Sequence, residues 1–88
     1  MFMKISVELT LSPLQDDFEP HVKKFIKQLR NSGLTVLENP LSTQIFGDYD
    51  RVMELLQEEI KTVMEAMDRG LLYLKIVKSD RSGYVPNF

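Results

Sequence analysis

From Lys4 to Leu11 apolar and polar residues alternate without interruption, with Ile5, Val7, Leu9 and Leu11 on one face and Lys4, Ser6, Glu8 and Thr10 on the other. A period of two marks a strand with one buried and one wet face. Pro13 closes the run, since proline has no amide hydrogen to give to a ladder. The period then lengthens: Phe18, Val22, Phe25, Ile26 and Leu29 recur at helical spacing and predict an amphipathic helix over 16–31. Its acids, Asp16, Asp17 and Glu19, precede its bases, Lys23, Lys24, Lys27 and Arg30, the order that the helix dipole favours. Asn31-Ser32-Gly33 supplies the stop. Leu34 to Glu38 predicts a second strand, Asn39-Pro40 a turn, and Leu41 to Phe46 a third strand in a hairpin with the second. Gly47-Asp48-Tyr49-Asp50 breaks that strand and offers Asp48 or Asp50 as a helix N-cap. Val52, Leu55, Leu56, Ile60, Val63, Met64 and Met67 trace the stripe of a long helix over 50–68. Gly70 is its stop, Leu71 to Val77 predicts a fourth strand with both faces partly covered, and Ser79 to Phe88 reads as a tail.

The order β-α-β-β-α-β predicts an α+β fold of the ferredoxin-like kind, a four-stranded antiparallel sheet with two helices on one face, because both crossovers then close right-handed. One such domain occupies residues 1–80, and 81–88 form the C-terminal tail. The uncovered sheet face carries Ser6, Glu8 and Thr10 with alternate residues of strands three and four, Phe46 and Tyr73 among its apolar groups. A face of that kind meets a second copy of itself, and an 88-residue chain buries a modest share of its surface alone. The expectation is a homodimer or homotetramer built through sheet faces.

Composition narrows the function. Hydrophobic residues make up 43% and charged residues 27%, the balance of an ordinary globular domain. Eleven bases against thirteen acids leave a net charge of −2, which removes the basic footprint of a nucleic-acid binder. With no cysteine and one histidine, disulfides, thiolate catalysis and an ordinary zinc cage are excluded, and no cofactor or metal is expected. The glycines stand alone at 33, 47, 70 and 83, so neither a Walker loop nor a dinucleotide fingerprint is present. The start, Met1-Phe2-Met3-Lys4, leads straight into alternation, and no apolar run approaches the roughly 20 residues of a bilayer span. A cytoplasmic protein without membrane insertion is the expectation.

The scan for chemistry is mostly negative. His21 lies near the start of the first helix, reads as a surface residue, and has no nucleophile visible beside it. The base-stacking aromatics of an RNA-binding version of this fold are missing from strand one, and strand three reads Ser42-Thr43-Gln44-Ile45-Phe46-Gly47. The loop Ser12-Pro13-Leu14-Gln15-Asp16-Asp17 is acidic where an acylphosphatase needs a cationic phosphate cradle. What stands out is polar residues near strand ends: Glu8, Thr10 and Ser12 on strand one, with Ser42, Thr43 and Gln44 on strand three. As neighbours, these strands either line a pocket of donors and acceptors for a neutral or cationic heteroaromatic molecule or form a solvated or interfacial sheet face.

Three stretches resemble the YkoF-like thiamine/hydroxymethylpyrimidine-binding family, a relative of the wider thiamine-binding small-protein group. They are Lys4-Ile5-Ser6-Val7-Glu8-Leu9-Thr10-Leu11-Ser12-Pro13-Leu14, then Asp17-Phe18-Glu19-Pro20, and most specifically Leu41-Ser42-Thr43-Gln44-Ile45-Phe46-Gly47-Asp48-Tyr49-Asp50-Arg51-Val52-Met53. The resemblance implies a ferredoxin-like domain that binds thiamine or its pyrimidine half without catalysis, in salvage or transport of the vitamin. Where the family has tandem domains, self-association would replace the pair. Where it often has an aromatic before the Pro-Leu of strand one, this chain has Ser12, which offers no ring for stacking.

An aminopyrimidine presents an amino donor and ring-nitrogen acceptors, so its site needs both kinds of partner. The candidate ligand-binding residues are Ser6, Glu8, Thr10, Ser12, Thr43, Gln44, Phe46 and Asp48. The thiazolium charge of thiamine would be drawn by an acidic rim of Asp17 or Asp48 and face Phe46 or Tyr73. With few cations expected nearby, unphosphorylated thiamine or hydroxymethylpyrimidine should bind better than thiamine pyrophosphate. The alternative reading is a stand-alone regulatory module resembling amino-acid-binding ACT domains, with a small effector at an interface between copies. A small enzyme with Glu8 or Asp17 as general base comes last, since no activating partner is visible.

Overall fold

A computed structural model describes residues 3–88; the first two positions of the expected domain, Met1 and Phe2, lie outside the described residues. The elements are β1 (Lys4–Pro13), α1 (Phe18–Arg30), β2 (Thr35–Glu38), β3 (Thr43–Asp48), α2 (Tyr49–Ala66) and β4 (Gly70–Val77). All pairings are antiparallel and the sheet order is β2-β3-β1-β4. This is the ferredoxin-like α+β arrangement expected from the sequence.

The period-two face of β1 fills the centre. Ile5, Val7 and Leu9 are buried with Ile45 of β3, Phe25 and Leu29 of α1, and Val52, Leu55, Leu56, Val63 and Met67 of α2 and its C-terminal end. Each such side chain removed from water contributes about 1.5–3 kcal/mol. Gly33, at φ 86°, takes the left-handed conformation that ends α1 cheaply, while the Ser32 hydroxyl donates to Leu29 O at 2.6 Å.

Several element ends differ from expectation, each for a local reason. Leu41 and Ser42 are not strand but turn, because both amides donate to Asn39 Oδ1 at 2.8 and 2.9 Å. β3 instead continues to Asp48, since Gly47 and Asp48 still pair with Ile5 and Lys4. Asp48 holds the N-cap position of α2 without a side-chain capping bond. The Tyr49 amide finds Met3 O at 2.7 Å instead, and the Asp48 carboxylate turns to Lys4 Nζ at 3.2 Å.

The fourth strand is partly covered on both faces, as expected, at Leu71, Leu72 and Val77, with Leu72 against the core, but Tyr73, Leu74 and Ile76 between them are exposed. β4 is an edge strand bonded only to β1, and the helices pack against β1, β2 and β3. His21 departs in the other direction: its side chain is only 18% exposed, with Gln15 Nε2 at 3.4 Å and an Asp17 carboxylate oxygen at 3.9 Å from Nε2. Gln15 also accepts from the Asp68 amide at 2.8 Å, tying the loop before α1 to the turn before β4.

Arg30 and Glu38 join the last turn of α1 to β2 through paired bonds of 2.5 and 2.7 Å. The bonds from Arg30, and then its charge, hold the Glu38 carboxyl below its usual range. A depressed folded-state value means the contribution is present above the ordinary carboxylate range and lost as pH falls through the depressed value. Urea midpoints taken from neutral pH down to about pH 3 should therefore fall, and Glu38→Gln should flatten part of that acid limb. The group is exposed, so the change will be small.

Candidate functional site

The helix-free face of the sheet is built by the register. Ser6 stands between Phe46 of β3 and Val77 of β4, and Glu8 stands between Gln44 and Lys75. These residues, with Arg81 and the Val7 backbone position between them, line an open concavity of about 180 Å³. It is smaller than the roughly 300–1,000 Å³ pockets that enclose drug-sized ligands, and of a size for a single ring.

Glu8 is the chemical centre of the hollow. Its Oε2 accepts from the Ser42 hydroxyl at 3.0 Å and, at 3.5 Å, faces the Gln44 amide nitrogen. Beside it, Phe46 supplies an aromatic wall and is only 7% exposed despite lying on the helix-free face. Ser6 is equally buried and is the anchor for the chain beyond β4. Its hydroxyl donates to Ser79 O at 2.7 Å and accepts from the Arg81 amide at 2.8 Å. Residues 79–81, expected at the junction of domain and tail, are thereby pinned to the rim.

The turn that follows is held by its own hydrogen bonds. Asp80 accepts from the Ser82 hydroxyl and backbone amide, and these bonds, the hydroxyl first, hold its carboxyl below the ordinary range. Tyr84 N donates to Arg81 O at 3.1 Å, and Arg81 Nε donates to the Ser79 hydroxyl at 2.8 Å.

Of the eight residues singled out from the sequence, the hollow gathers Ser6, Glu8, Gln44 and Phe46. Thr43 is on the wrong face: it pairs with Leu9, and its buried side chain lies on the helix side of the sheet. Thr10 shares the open face but sits opposite Tyr73, where its hydroxyl donates to Leu41 O at 3.1 Å. Ser12 is farther along, opposite Leu71. Asp48 is beyond the other end, paired with Lys4. Asp17 belongs to the α1 end with Gln15 and His21 and forms no rim here. Its carboxyl is held below the usual range, first by the Gln15 side chain.

Lys75, Val77 and Arg81 were missed. Lys75 and Val77 follow from alternation in β4 once that strand is known to have an open face. Arg81 carries no local signal, since only the contact with Ser6, far away in sequence, brings it to the hollow. With them the expectation of few nearby cations fails: two cations and one carboxylate line the site.

A wider depression of about 490 Å³ along α1, lined by Pro20, Lys23, Lys24, Lys27, Gln28 and Asn31, has neither an aromatic wall nor a carboxylate. The groove between the helices, lined by His21, Phe25, Glu59 and Thr62 among others, has about 20 Å³, room for about one water. Among the described residues no cluster of three or more His, Asp and Glu is placed to hold a metal ion, and no helix is long and apolar enough to cross a membrane.

Comparison with known proteins points in one direction. UPF0045 protein MJ1052 of Methanocaldococcus jannaschii is 31% identical over 75 residues, covering 83% of this chain and 75% of that protein. A Thermotoga maritima crystal structure, of a protein for which a role in thiamine biosynthesis or salvage is proposed, superposes with a TM-score of 0.77. It is 19% identical over 93% of this chain and 89% of its own. A Streptococcus pneumoniae structure gives a TM-score of 0.81 at 24% identity, with 89% of each chain covered. These two establish likeness of fold. The model of the family described as "Thiamine-binding protein" matches residues 7–85, nearly the whole domain and the turn that carries Arg81, and the chain belongs to that family.

Proposed function

We propose that this protein binds thiamine or its hydroxymethylpyrimidine moiety without transforming it, in salvage or transport of the vitamin, with the Glu8 hollow as the ring site. One observation carries the reading: Glu8 faces the Gln44 amide across the β1–β3 pair, and the Phe46 ring lines the same hollow on the helix-free sheet face. The carboxylate accepts from the exocyclic amine of an aminopyrimidine, the Gln44 amide donates to a ring nitrogen, and the aromatic wall packs against the ring. Membership in a family described by binding supports a carrier over a catalyst. Thr10 and Ser12 extend the polar strip beyond the hollow and would meet a longer ligand, not the ring.

The hollow is open, and a second copy closes it in this reading. Tyr73 and Leu37 are exposed on the same sheet face, which supports a homodimer or homotetramer through sheet faces. Isothermal titration with thiamine and hydroxymethylpyrimidine, paired with light scattering, tests both halves. Saturation near one ligand per chain in a particle of two or four chains is the expected outcome. A well-folded protein giving no heat with either compound would remove the carrier reading, and a monomeric mass would remove the closing copy.

A further inference from the structure

We propose that the hollow takes the phosphorylated form of its ligand, with Lys75 and Arg81 as the pair that holds the phosphoryl group. The inference rests on the thiamine reading above and names the form of ligand within that site.

On a chain of net charge −2, the site runs against the average. Lys75 of β4 stands directly opposite Glu8 in the β1–β4 register, and Arg81 is held over Ser6, so two cations and one carboxylate line the hollow. That carboxylate is engaged on the β3 side, by Ser42 and Gln44. Among the described residues, the ion pairs are Lys4–Asp48, His21–Asp17, Lys23–Glu19 and Arg30–Glu38, none of which engages Lys75 or Arg81. Asp80, the acid next to Arg81, is turned to Ser82.

Arg81 is also positioned in a way that an ordinary tail residue is not. Its backbone is fixed by buried Ser6, and its Nε is spent on the Ser79 hydroxyl at 2.8 Å. The terminal guanidinium nitrogens are left to meet a ligand. A planar guanidinium beside an ammonium is the pairing that suits phosphate oxygens, through a forked contact and a point charge. The same pair disfavours unmodified thiamine, whose permanent thiazolium charge it repels, whereas a phosphate monoester reverses the sign at that end. The preference expected from the sequence, for unphosphorylated ligand, rested on an absence of cations that the fold does not bear out.

Titration of the full chain with thiamine, thiamine monophosphate and thiamine pyrophosphate at fixed ionic strength tests this. Both phosphorylated compounds should bind about tenfold or more tightly than thiamine, a gap that narrows with added salt. Arg81→Gln and Lys75→Gln should each remove most of the gap by weakening the phosphorylated compounds. Both side chains are exposed, and Ser6 holds the Arg81 backbone, so the fold tolerates both changes. Thiamine binding as tightly as its monophosphate, or an undiminished gap in the double variant, overturns the proposal while leaving the carrier reading in place. If no thiamine compound binds, inorganic pyrophosphate is the deciding probe. Binding that is lost in Arg81→Gln keeps the anion pair and rejects the pyrimidine, and silence there overturns both.

Discussion

Leu29→Ala is expected to destabilise the domain by about 3 kcal/mol and lower its melting temperature by roughly 12–24 °C. Leu29 is fully buried on α1 and belongs to the close-packed cluster built on β1 and β3, so truncation leaves a cavity. A domain of this length has roughly 4–13 kcal/mol of stability in total, so one truncation removes a large part of it. Leu41→Ala is the control: Leu41 is 84% exposed in the β2–β3 turn, and its loss should change stability by no more than about 0.5 kcal/mol. Chemical denaturation of both variants at one protein concentration checks the pair, since self-association would otherwise make the midpoint depend on concentration. Equal effects at the two leucines would mean that the core is not where the burial pattern puts it.

The second large effect falls on binding. Glu8→Ala removes the only carboxylate of the hollow and should weaken thiamine and hydroxymethylpyrimidine binding by about 10–100-fold, the value of a hydrogen bond to a charged group. Glu8 is only partly buried on the wet side of β1, so the fold should survive the change, with an unaltered circular dichroism spectrum. Thr43→Val gives the contrast, because Thr43 lies on the opposite face of β3 and its replacement should leave affinity where it was. Weakening by Thr43→Val with none by Glu8→Ala would place the ligand away from the helix-free face.

The fate of the eight candidate residues shows what a linear pattern can carry. Ser6 and Glu8 were legible because strict alternation in β1 assigns each residue to a face before any partner strand is known. Gln44 and Phe46 follow from the same rule in β3. Thr43 was misjudged through that rule as well: it and Gln44 are adjacent, and adjacent strand residues cannot share a face. Asp48 was readable as a helix N-cap by position, but the side chain's choice of Lys4 over the backbone depends on where β1 begins beside β3.

Hydrophobic periodicity and turn chemistry were enough to establish the element order, the ferredoxin-like arrangement and the buried set of the central strand, because these are local properties whose period directly encodes a face. The covering of β4 was not encoded that way. Leu74 and Ile76 look like core residues in a run of apolar side chains, and only the edge position of the strand, beyond the helices, leaves them in water. The charge of the candidate site was decided at the same level. Lys75 meets Glu8 through the β1–β4 register, and Arg81 meets Ser6 across 75 positions of chain, so the hollow's electrostatics come from pairings between distant segments that only the folded chain brings together.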